Sequence, residues 1–328
     1  MKNNNGITIV ALVVTIVVLL ILAGVSINLV LGNNGIIAKA KDAETKSAEA
    51  SQNDLKGMNG LVSEMEGALA GNGSTGNGNT GSGNNFVTKN TEVTYPDGKV
   101  WIPEGFKVAG DSASTVQGGV VIEDKDGNQF VWVPVATLAD YKRRTWYTGN
   151  GSFSDYSEAL PEDERASVDA YKGFYIGRYE LSEAGVQKDK ATLTRTNWYN
   201  LYKKCTELQA SDKVETRMIW GCQWDVTMNW LISSGAKTSN EVNKDSRSWG
   251  NYSDSKENAK ETSVKADDGK TELKASGTSA KLNTGKTTFT MANNIYDLAG
   301  NCYEWTQEVN GASYRARRGG SYSFDGSG

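Results

Sequence analysis

Asn293-Asn294-Ile295-Tyr296-Asp297-Leu298-Ala299-Gly300-Asn301-Cys302-Tyr303-Glu304-Trp305, followed shortly by Arg317-Arg318-Gly319-Gly320-Ser321-Tyr322, is the stretch whose reading decides the fold of this chain. Gly300 permits a turn closed to other side chains. Asp297, Asn301 and Glu304 gather oxygen-bearing side chains over eight residues, and Trp305 adds a large buried anchor. From spacing alone two readings stay open: a polar turn held by side-chain hydrogen bonds, or a place where those oxygens meet a ligand.

Composition narrows what surrounds this stretch. The chain has 328 residues, enough for one large domain or two ordinary ones. No Phe, Tyr or Trp precedes Phe86, while all nine Trp and fourteen Tyr follow it, so a core-forming domain is expected over 86–328. The formal net charge of -4 is small and mixed, and gives no reason to expect a nucleic-acid partner. With no His, His-based triads and His-ligated zinc or iron are excluded. The three Cys (Cys205, Cys222, Cys302) allow at most one internal disulfide and match no metal-ligand spacing.

The N-terminal part is built differently. After the polar leader 1–6, residues 7–31 are apolar for about 25 positions, enough to span a bilayer as a helix. The run is too long, and the leader too poor in charge, for an ordinary cleavable signal. Residues 32–70 read as an amphipathic stalk helix, with Leu55, Met58, Val62, Met65 and Leu69 recurring at steps of three and four. Residues 71–85 (GNGSTGNGNTGSGNN) form a flexible linker with a mean span of roughly 20 Å.

From Phe86 the pattern is β, then mixed. Residues 99–103 read as a strand, and 118–134 as two strands joined through Asp126-Gly127. Gly173 to Glu180 reads as a further strand. Two helices follow, one with Trp198, Leu201, Tyr202, Cys205 and Leu208 on a face, the other with Trp220, Trp224, Met228 and Leu231 and a stop at Gly235. Both Trp-rich faces are expected in the core. Residues 251–290 read as a long polar loop or insertion, ordered only locally.

Two resemblances attach to these residues. Gly6-Ile7-Thr8-Ile9-Val10-Ala11 resembles the processing site of type IV prepilins, where a membrane peptidase cuts after the Gly and the new N-terminus is methylated. Gly6 and Ile7 would then be the processing residues. Ala11 stands where most major pilins carry Glu, which implies a minor, tip or otherwise atypical subunit, or an anchor that never polymerises. A plain signal anchor is the alternative. The runs Asp297…Trp305 and Arg317…Tyr322 resemble the signature of the formylglycine-generating-enzyme/sulfatase-modifying-factor family, and Gly173 to Glu180 resembles one of its strands. That family's fold is a variant of the C-type lectin fold. The resemblance implies an α+β, C-type-lectin-like domain displayed on the transmembrane and stalk helix. It also implies a final strand that the sequence to Gly328 does not contain, so a fragment is expected.

Function divides along the same lines. The family's enzymes oxidise a cysteine of a client sulfatase with a pair of active-site thiols and copper, and soft sulfur ligands suit Cu(I). Here the stretch where the first thiol is expected reads Ser321-Tyr322-Ser323-Phe324-Asp325-Gly326, without Cys. Related iron-dependent sulfoxide synthases need His. The resemblance therefore implies a non-catalytic binding module, such as an adhesin or minor pilin, with Tyr303, Tyr314, Tyr322 and Phe324 lining a face for a protein or glycan ligand. The enzyme, and a pseudopilin-like secretion component, are the alternatives. Membrane, prepilin peptidase and other pilin subunits are the further partners implied, with the domain outside the cell. Family members also bind structural calcium in the signature. Carried over, its ligands would be Asp297, the carbonyls of Gly300 and Cys302, and the Glu304 carboxylate, with water or a distant residue completing the shell.

Overall fold

The computed structural model of the chain describes residues 85–143, 160–208, 213–256, 263–275, 277–310 and 314–327. All of them fall in one compact unit, Asn79–Gly328. The leader with Gly6 and Ile7, the apolar span, the stalk and nearly all of the linker lie outside the described residues. Among the described residues no helix is long and apolar enough to cross a membrane.

The fold is mixed, with small antiparallel sheets and short helices. β1 (Thr91–Tyr95) and β2 (Gly98–Ile102) pair with each other. A four-stranded sheet follows in the order β3 (Phe106–Val108), β4 (Val121–Asp124), β5 (Gln129–Pro134), β6 (Gly173–Gly177), antiparallel throughout. The β4–β5 turn is closed from within: Asp124 Oδ1 accepts from the amides of Asp126 (2.9 Å) and Asn128 (2.8 Å), and Gly127 takes φ +83°. Successive residues of β5 serve opposite faces. Val131 and Val133 join one core cluster, Phe130 and Trp132 the other.

Helix α1 (Glu162–Tyr171) leads into β6. α2 (Trp198–Thr206) and α3 (Gly221–Ser233) match the two helices expected from sequence, and a short α4 (Ser239–Asn243) follows. Their burial differs from expectation. α3 is apolar nearly all round and buries Cys222, Trp224, Val226, Met228, Trp230 and Leu231, as a helix inside a core must. No residue of α2 is fully buried. Gly235, at φ +79°, follows the end of α3 as its sequence position suggests.

The polar stretch 251–290 is more ordered than expected. It contains the β7–β8 hairpin (Val264–Lys265, Glu272–Lys274), a 3-10 turn (Thr288–Thr290), and buried Asn251, Ser255, Lys274, Thr284, Thr287 and Thr290. Besides the buried Tyr252 and Val264, hydrogen bonds hold much of it, which hydropathy patterning does not register. β9 (Met291–Ala292) and β10 (Ile295–Tyr296) then bracket the start of the signature, and β11 (Glu304–Asn310) pairs with β12 (Tyr314–Arg318).

Candidate functional site

The signature folds as a chain of left-handed turns. Asn293, Asn294, Asp297, Gly300 and Asn301 all have positive φ, and Asn, Asp and Gly are the residues that tolerate it. At Gly300 a side chain is also excluded by space: a Cβ there would lie 2.3 Å from the Asn251 carbonyl oxygen. Asn301, fully buried, knits the turn to its surroundings. Its Oδ1 accepts from Asn251 Nδ2 (2.9 Å) and the Leu282 amide (3.0 Å), and its Nδ2 donates to Glu180 Oε2 (2.6 Å) and the Leu282 carbonyl (3.2 Å).

Three buried carboxylates meet here. Glu180 accepts from Thr192 (2.5 Å), Asn301 and the Cys302 amide (2.9 Å). Asp297 Oδ2 accepts from Thr284 Oγ1 (2.9 Å) and the Gly285 amide (2.8 Å). Glu304 keeps some exposure as a residue, yet its Oε2 is buried without a hydrogen-bond partner among the described residues. Burial raises all three carboxyls above the ordinary carboxylate range; Asp297 raises Glu180 further, and Glu180 and then Asp297 raise Glu304.

Against the calcium set, the fit is three-quarters open. The unpartnered Glu304 oxygen suits a cation, and the carbonyls of Gly300 and Cys302 accept no backbone or side-chain hydrogen bond among the described residues. Asp297 has one oxygen already committed to Thr284 and Gly285. No group of three or more His, Cys, Asp or Glu among the described residues is placed to hold a metal, but a set of two carboxylates and two carbonyls does not need one.

The four aromatic positions do not form a single face. Tyr303 is half-buried and meets Phe324, 58 % exposed, with ring centroids 6.1 Å apart. Tyr322 is half-buried, its amide donating to the Asn301 carbonyl (3.0 Å). Tyr314 is 74 % exposed, but it opposes Asn310 at the far end of the β11–β12 pair. By strand alternation it shares a face with Ala316 and Arg318, not with Arg315 and Arg317.

Sequence reading passed over the cationic half of this surface. Arg317 lies 4.5 Å from the Tyr303 ring centroid and 5.4 Å from that of Trp305, and Arg315 lies 4.4 Å from Trp198, itself stacked on Tyr202. Trp305 is therefore a half-exposed platform rather than the buried anchor expected of it. Arg315 and Arg317 are exposed and, among the described residues, form no ion pair. Arg318, on the opposite face, is bound by the buried Glu308, which Arg143 also pairs, while Arg143 reaches Asp225 at 2.7 Å. The signal was present as alternation in Tyr-Arg-Ala-Arg-Arg (314–318), but only pairing with β11 shows which arginines face outward.

No disulfide joins the three cysteines, and two of them are buried. Burial pushes the Cys205 thiol up to about 12, and burial with the Glu180 charge pushes Cys302 up as well. A thiol held so far above neutral pH supplies little thiolate. The chain matches no protein-family model, no curated protein and no solved structure.

Proposed function

We propose that the described unit is a non-catalytic recognition module of the C-type-lectin-like kind, displayed at the cell surface by a pilin-like N-terminal segment. The observation that carries this reading is the pair of exposed guanidiniums laid on aromatic rings: Arg317 over Tyr303 and Trp305, with Phe324 alongside, and Arg315 over Trp198. Such rings hold a guanidinium in place; Arg315 Nη1 also donates to the Gln307 carbonyl (2.9 Å), and the remaining N–H groups of the pair give a ligand preorganised donors at little entropic cost. The raised Cys205 and Cys302 thiols, and the absence of Cys from 321–326, support recognition over thiol oxidation.

The test is a screen of the full-length protein on immobilised glycans and surface proteins. Arg317→Ala and Phe324→Ala should each weaken the best ligand by about 2 kcal/mol, roughly thirtyfold, with the melting temperature unchanged. Tyr314→Ala should leave it alone. Equal binding by Arg317→Ala, or aldehyde formation on a sulfatase-motif peptide with copper and oxygen, would overturn the reading.

A further inference from the structure

Among the described residues the four-stranded sheet ends at β6, with no strand paired to its outer edge. At its two ends β6 turns Lys172 and Arg178 towards β5: the Lys172 carbonyl accepts from Val135 N (2.9 Å), and Arg178 N donates to the Gln129 carbonyl (3.0 Å). Antiparallel pairing alternates, so Gly173, Tyr175 and Gly177 turn their N–H and C=O groups away from β5. Nothing among the described residues pairs with those groups. Tyr175 and Gly177 are half-buried rather than open to bulk water.

What lies beside that edge is empty space with a fixed far wall. Two cavities, about 300 and 210 Å³, share Phe130, Ile176, Gly177, Thr216, Arg217 and Ile219 in their linings. The first runs back along β6 past Tyr175 to Gly173, and the second runs on to Glu180 and Glu304. The far wall is anchored to β11, whose Gln307 donates from its amide to the Ile219 carbonyl (2.9 Å) and from Nε2 to the Met218 carbonyl (2.6 Å). The slot therefore follows the strand, with apolar side chains on both sides.

An apolar small molecule would leave the outward amides and carbonyls of β6 dry and unpaired, at a cost of a lost hydrogen bond each. An extended polypeptide pairs them and places alternate side chains into the apolar lining. Its charge follows from the walls. Glu164, Glu180, Glu215 and Glu304 line the slot against Arg217 and Lys213, and Arg217 is already bound by Asp163 and Glu215. At the far end the slot is lined by Glu304, whose buried Oε2 has no hydrogen-bond partner among the described residues.

We propose that the slot beside β6 is a strand-addition site for an extended segment of a partner protein, apolar at alternate positions and carrying a basic side chain at the Glu304 end. Its Glu304 end is lined by Tyr303 and Trp305, the rings beneath Arg317, so it adjoins the arginine–aromatic face there, while the β6 edge groups take no part in that face. The edge groups of Tyr175 and Gly177 recruit the segment, and the acidic end sets its direction.

The experiment uses the full-length protein in chelator with a fluorescent acetylated peptide, Thr-Val-Thr-Phe-Arg-Val-Thr-amide. Saturable binding is expected, weakened at least tenfold by N-methylation of alternate peptide amides and by Glu304→Gln, and unchanged by Phe324→Ala, whose ring lines neither cavity. Hydrogen exchange at the Tyr175 and Gly177 amides should slow at least tenfold when the peptide binds. Equal binding of the N-methylated peptide, or no saturable binding, overturns the proposal. So does loss of binding in Phe324→Ala, which would put the peptide on the other face. Tyr175 and Gly177 amides already protected without peptide would mean the chain fills its own slot. Protection that appears only with a concentration-dependent dimer would mean a second copy fills it. Both results also overturn the partner assignment.

Discussion

Lys274 is 3 % exposed and carries its ammonium into the loop around Tyr252, donating to the Tyr252 carbonyl and lying 3.4 Å from Ser255 Oγ. Among the described residues it forms no ion pair. Burial lowers its pKa from 10.5 to about 8, with Asp254 pulling weakly the other way. Between those values the unfolded chain binds more protons than the native one, so stability rises with pH across that window. Below about pH 8 the whole penalty is present; 2.5 pKa units at 1.36 kcal/mol each put it on the order of 3 kcal/mol. Lys274→Met keeps the length and removes the charge. Urea unfolding near pH 7 should show the variant more stable than the parent, and the gap should close towards pH 10.5. A variant less stable at pH 7, or a gap that ignores pH, would mean the ammonium is paired by something stronger than a carbonyl. At this scale the sequence was readable where backbone chemistry is residue-specific: Gly300 and the Asn-Asp positions announce left-handed turns. Lys274 falls in the stretch that reads as a long polar loop, because nothing local marks a lysine for burial.

α2 and α3 were equally legible as helices, and they differ in what lies beneath them. α3 contributes Trp224, Met228 and Leu231 to the core, whereas α2 lies over the smaller of the two cavities, with Leu201 and Cys205 in its lining. The 3.6-residue period reports which side chains share a face, but not whether that face meets a packed surface. α2 is held at its start by Asn197, whose side chain accepts from the Asn200 amide (2.9 Å), and by Trp198 Nε1 donating to the Thr306 carbonyl (2.9 Å). Its amides should therefore exchange by local opening, at least tenfold faster than those in the middle of α3, in hydrogen exchange followed by mass spectrometry. Asn197→Ala should cost about 1 kcal/mol of local stability and widen that difference. Equal protection of the two helices would show that α2 opens only with the whole unit. Two other elements escaped sequence reading for a related reason. α1 buries only Val168, so its pattern is weak. β11 buries Thr306, Gln307 and Glu308, polar residues satisfied by Met218, Arg143 and Arg318, and hydropathy reads such a strand as loop.

The signature is where distant parts of the chain converge. Glu180 follows β6, Asn251 and Leu282 come from the polar stretch, and Gly319 lies beyond β12, its carbonyl accepting from the Gly300 amide (2.7 Å). A cation taken up at Glu304 would bind only when these segments are assembled, so its binding energy would appear as stability of the whole unit rather than of one turn. The competing account is that Asn301, with its side-chain bonds to Asn251, Leu282 and Glu180, already secures the turn and Glu304 is a buried acid, its pKa raised by burial, that holds no metal. The two are separable because the Asn301 bonds need no metal. The protein should remain folded in chelator, and calcium at about a hundredfold over its dissociation constant should add roughly 2.7 kcal/mol. Thermal melts of the full-length protein near neutral pH should therefore shift upward with calcium and back with chelator. Glu304→Gln should erase most of the shift while leaving the chelator melt close to the parent, since the amide keeps the side chain's shape and removes the carboxylate that burial disfavours. A melt that ignores calcium in protein shown to be folded would leave Asn301 as the sole fastener and the Glu304 oxygen open to another cation.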